Sequence, residues 1–105
     1  MNQWPDDADG DALRRIERDG FDFATPCTID FNVDFDPWPP PAAAMAILQA
    51  RFPGIQAHAD DDGGYVQFQV HARLSHALVT SLQDEVTALM APHGGVCDSW
   101  GVLMP

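Results

Sequence analysis

Apolar residues along the chain recur first at helical spacing. Between Ala8 and Asp19, Ala12, Leu13 and Ile16 fall on one face and Arg14, Arg15, Glu17 and Arg18 on the other, which predicts an amphipathic helix. Asp6, Asp7, Asp9 and Asp11 crowd its start, where carboxylates accept from free backbone N–H groups and oppose the helix dipole. Gly20 ends it. The period then changes to two. From Cys27 to Phe35, Ile29, Phe31, Val33 and Phe35 alternate with Thr28, Asp30, Asn32 and Asp34, the pattern of a strand with one apolar and one polar face. Pro37-Trp38-Pro39-Pro40-Pro41 stops that strand, and a second helix is predicted from Ala42 to Phe52, closed by Pro53-Gly54.

Ile55 to Asp60 and Tyr65 to Arg73 flank Asp61-Asp62-Gly63-Gly64, a hairpin signal. If Asp60 faces Tyr65, then Ala59 meets Val66, Ala57 meets Phe68 and Ile55 meets Val70. Gln56, His58, Gln67 and Gln69 then share the opposite face. Ser75 can cap a third helix running to about Met90, with Leu78, Leu82, Val86 and Leu89 as its apolar stripe. Pro92-His93-Gly94-Gly95 turns the chain into a last strand, Val96 to Val102. A helix followed by β-α-β-β-α-β predicts an α+β fold: a ferredoxin-like sandwich with an extra N-terminal helix, and a four-stranded antiparallel sheet with one open face. No repeat or linker interrupts it, so residues 1–105 read as one domain, with residues 1–7 loose.

Charge changes the picture most. Sixteen Asp and Glu stand against five Arg and no Lys, a formal net charge of -11. Such a field repels phosphate backbones and favours encounter with basic surfaces, so direct nucleic-acid binding is not expected. The sheet positions Asp, Asn and Gln also differ from the aromatic platforms that stack RNA bases. No apolar run approaches the roughly 20 residues that span a bilayer. The start, Met1 to Asp7, lacks the basic and apolar regions of a secretory signal, so a cytoplasmic protein is expected. Cys27 and Cys97 are too few for a disulfide framework and read as free thiols, placed at opposite ends of their neighbouring strands.

Candidate chemistry is sparse. Asp7-Ala8-Asp9-Gly10-Asp11 resembles the start of a calcium loop, but Ala12 and Arg18 stand where the sixth and twelfth positions of that loop require Gly and Glu. His58, His71, His76 and His93 lack zinc-ligand spacing, and neither a phosphate loop nor a nucleophile elbow occurs. No catalytic residue, metal or cofactor is therefore assigned. Asp30, Asn32, Asp34, Gln67 and Gln69 on the open face, with Asp60, Asp61 and Asp62 at the hairpin tip, are the candidate partner-binding set. Gly94, Gly95, Asp98, Trp100 and Gly101 form a structural motif. In it Val96, Asp98, Trp100 and Val102 share a parity, so Asp98 beside an inward Trp100 needs backbone N–H groups or an Arg of the first helix.

The segments Asp7 to Ile16, Gly20-Phe21-Asp22, Pro26 and Ile29-Asp30-Phe31 resemble the opening of the regulator of ribonuclease activity B family, also called ribonuclease E inhibitor proteins. Glu85, Leu89, Gly94-Gly95, Asp98 and Trp100-Gly101 are similar to that family's close, although Ser99 stands where the family usually has Gly. The resemblance implies a ferredoxin-like fold and a non-catalytic protein that binds ribonuclease E and lowers its RNA-cleaving activity. A monomer or weak homodimer is expected. Two other classes stay open: an immunity-type inhibitor of another basic protein, and an enzyme or small-ligand domain using the open sheet face.

Overall fold

A computed structural model describes residues 4–60 and 63–102. Helix α1 spans Ala8–Arg18, strand β1 Cys27–Phe35, α2 Ala42–Arg51, β2 Gln56–Asp60, β3 Gly63–Ala72, α3 His76–Met90 and β4 Gly95–Val102. The four strands form one antiparallel sheet in the order β2-β3-β1-β4, the ferredoxin-like arrangement with an added N-terminal helix. The helices bury one face of the sheet.

The alternation in β1 sets the core. Ile29, Phe31 and Val33 are fully buried, while their neighbours Thr28, Asp30, Asn32 and Asp34 point to the uncovered face. Phe31 lies opposite Phe68 of β3, and the two rings stack at 5.1 Å. Phe52, just beyond α2, also stacks on Phe68, at 3.9 Å. Leu13 from α1, Ala44 and Leu48 from α2, and Val79, Val86 and Met90 from α3 close the same cluster. Ser75 caps α3 as its sequence predicts, its Oγ accepting from Leu78 N–H at 3.1 Å.

Residues 4–7 make contacts with the rest of the fold. Trp4 packs against Phe23 at 5.2 Å, and the Trp4 and Pro5 carbonyls accept from the Arg14 guanidinium. Asp7, not the whole acidic run, is the α1 cap, accepting from Gly10 N–H at 2.7 Å. Asp9 instead reaches across the fold. Its carboxylate accepts from Trp100 Nε1 at 2.9 Å and from Gln83 Nε2 at 3.0 Å, so α1 is fastened to both β4 and α3.

The hairpin differs in register. Asp60 faces Gly63, Ala59 faces Gly64 and Ala57 faces Val66, a slip of two residues from the predicted pairing. Gly63 and Gly64 belong to β3 rather than to the turn, and only residues 61–62 connect the strands. Because the slip is even, each side chain keeps its predicted face. Asp61 and Asp62 lie outside the described residues. β2 is an edge strand, and Gln56, Ala57, His58 and Ala59 are exposed on both its faces.

Candidate functional site

The uncovered face of the sheet is built in rows. Antiparallel register places Gln69 against Asp30 and Gln67 against Asn32, and these pairs bond sideways. Gln69 Nε2 donates to Asp30 at 2.7 Å, and Gln67 Nε2 donates to Asn32 Oδ1 at 3.3 Å. Asn32 Nδ2 in turn donates to Ser99 Oγ of β4 at 3.1 Å. Thr28 and His71 meet at 3.4 Å at one end. Of the predicted partner-facing set, Asp30, Asn32, Asp34, Gln67 and Gln69 thus share one surface. Asp60 ends β2 at the same end of the sheet as Asp34, since both strands reach the hairpin-facing end of β3 there.

A further row lies at that end and was not assembled from sequence. His58 faces Tyr65, Tyr65 faces Asp34, and Asp34 faces Val96. The His58 and Tyr65 rings stack at 5.0 Å. Asp98 joins this row through a bulge: Val33 pairs with Cys97 and Asn32 with Ser99, leaving Asp98 as the extra residue on β4. The bulge overturns the expected parity. Cys97 is buried and Trp100, opposite Phe31, packs half-buried against the core, while Val96 and Asp98 face outward. Thr87 of α3 holds the bulged strand from behind, accepting from Cys97 N–H at 2.9 Å.

Asp98 therefore has a carboxylate neighbour where backbone N–H groups or an Arg were expected. It meets Asp34, and shielding by the strands together with the hydrogen bond and charge of Asp98 raises the Asp34 carboxyl above its ordinary value. Burial, with Asp98 and Asp34 adding to it, pushes the Cys97 thiol up to about 12, so it stays protonated and a poor nucleophile. Cys27 is likewise a free thiol, raised by burial.

The glycines of the motif have different reasons. Gly94 has φ +79° and sits against the Asp36 carbonyl, and its own carbonyl accepts from Asp36 N–H at 3.0 Å. A Cβ on Gly95 would come 2.7 Å from the Phe35 ring and 2.8 Å from Met90. Gly101 differs: a Cβ there would meet nothing within 4 Å, and it faces Asp30.

Beyond the rows, an open concavity of about 450 Å³ is lined by Asp34, Phe35, Asp36, Trp38, Gly63, Gly64 and Tyr65. Trp38 comes from the proline-rich stretch, which the sequence presents only as a strand stop. Its signal was an aromatic among prolines just after Asp34 and Asp36. Among the described residues no cluster of three or more His, Cys, Asp or Glu could hold a metal, and no helix is long and apolar enough to cross a membrane.

Fold and surface together define an α+β domain whose acidic and amide-bearing face is left open for contact. The family model for regulator of ribonuclease activity B matches residues 6–102, and the chain belongs to that family of ribonuclease regulators. Comparison with curated proteins finds no match.

Proposed function

We propose that this chain inhibits a ribonuclease, ribonuclease E, by binding it directly, with no catalytic step of its own and no contact with RNA. The observation that carries the reading is the open face. Asp30, Asn32, Asp34, Gln67 and Gln69 present carboxylates and amides side by side, on a chain of net charge -11 belonging to a family of ribonuclease regulators. A protein that handles RNA needs a basic surface, and an acidic binder that covers it competes with the phosphate backbone for the same charges. The sideways hydrogen bonds hold the face in one arrangement before contact, which lowers the ordering cost of association. Asp60, Asp61 and Asp62 in the hairpin sequence add to the negative charge.

The test titrates purified ribonuclease E from the same organism with this chain while cleavage of a short RNA is followed. Asp30→Asn with Asp34→Asn is expected to weaken inhibition about tenfold, as loss of two interfacial charge contacts does. Asp6→Asn with Asp19→Asn, which removes equal charge away from the sheet, is expected to change it less than about threefold. Absence of any complex at micromolar concentration rejects the partner; equal effects of the two double variants reject the face.

A further inference from the structure

We propose that the concavity beside Trp38 is a receptor for an arginine side chain presented by a basic protein partner. Two ring systems and two carboxylates converge there. Trp38 is half-buried, meets Phe35 edge-on at 6.5 Å, and lies against Gly64, where a Cβ would come 2.9 Å from the indole. Tyr65 is backed by the His58 ring at 5.0 Å. Each ring is thus supported from its own side, and the pair lines an opening whose other walls are Gly63, Gly64 and the acidic residues Asp34 and Asp36. Asp36 is set by the turn before β4, through its N–H bond to the Gly94 carbonyl.

The lining contains no Arg or Lys, and none of the ion pairs among the described residues involves Asp34 or Asp36. A planar cation suits this chemistry: it stacks on aromatic faces and takes carboxylates in a forked geometry, whereas an ammonium is a compact, strongly hydrated point charge that can do neither. A neutral ligand would leave both carboxylates unanswered. A phosphate would be repelled. The inference deepens the reading above by naming the group recognised, and its primary test does not use the ribonuclease.

The experiment is an NMR titration of the isotope-labelled chain with N-acetyl-arginine amide, and in parallel with the neutral citrulline amide of nearly the same shape. Arginine amide is expected to shift the Trp38 indole N–H and the Gly63 and Gly64 amides, saturably and at millimolar concentration; citrulline amide is not. Trp38→Leu and, separately, Asp34→Asn with Asp36→Asn are each expected to weaken that binding about fivefold. Unchanged signals from Gly101 and from the α3 amides show that the variants fold. Equal shifts with citrulline amide, shifts spread evenly to Asp19 and Asp84, or no shift at all overturn the site. If arginine amide binds as expected while ribonuclease E does not, the receptor stands and the named partner falls. If ribonuclease E binds and Trp38→Leu leaves that complex unchanged, the receptor falls and the regulator remains.

Discussion

Asp34 and Asp98 meet on a surface otherwise stitched together by amides, and their contact has a pH signature. A carboxyl whose folded-state pKa is raised holds its proton more tightly folded than unfolded. Its contribution to stability is therefore fully present below the ordinary carboxylate value and is lost as pH rises through the raised one. Asp34→Asn removes the repulsion and should raise the melting temperature at pH 7. The gain should vanish at about pH 3, where the native carboxyl is protonated in both states. Because Asp34 is exposed, the effect is no more than about 1 kcal/mol. Melting curves across that range decide it, and a gain that persists in acid contradicts the contact. At this scale the sequence is least legible. Asp7, Asp9 and Asp11 look alike as a run before a helix, yet Asp7 caps it, Asp9 bonds Trp100 and Gln83, and Asp11 pairs with Arg14. Local spacing cannot separate a cap from a carboxylate used across the fold.

Strands and helices were largely legible because their periods are clean, and each departure comes from an interruption of period. The extra residue in β4 reverses its phase at Asp98, so the inward positions are Gly95 and Cys97 before it and Trp100 after it. A single alternating template has no room for that switch. The hairpin slip has a different origin: Gly63-Gly64 serves a turn or a strand equally well by residue type. Trp38 lying against Gly64 accompanies the strand solution. The same strand offers a paired test. Gly95→Ala forces a Cβ onto Phe35 and Met90 and should cost about 1–3 kcal/mol. Gly101→Ala meets open space and should stay within about 0.5 kcal/mol of the parent in chemical denaturation. If Gly101→Ala nonetheless weakens the ribonuclease complex, partner backbone comes close to β4 beside Asp30. Equal destabilisation by the two substitutions contradicts this account of the glycines.

Over the whole molecule, net charge acts more on encounter than on fold. Exposed charges are screened over about 8 Å at physiological salt, so steering toward a basic partner weakens as salt rises. The association rate is expected to fall about tenfold between about 50 and 300 mM salt while dissociation changes less than about threefold; rapid-mixing kinetics measure both, and a salt-insensitive association rate rejects the electrostatic route. The charge has a second consequence, which begins at β2. That strand borders the sheet with one long side unpaired, and Gln56, Ala57, His58 and Ala59 include no Lys, no Pro and no bulky shield, the devices that usually keep strand borders apart. Two copies that met along β2 would find matching hydrogen-bond groups, with Ala57 and Ala59 as small side chains among them. What opposes the meeting is mutual repulsion, which grows with the square of a charge of -11. On the proposed reading, the acidity that would draw a basic partner toward this chain also opposes the approach of its own copies, so a partner that neutralises the charge is expected to cover the border as well or leave it open to a second strand.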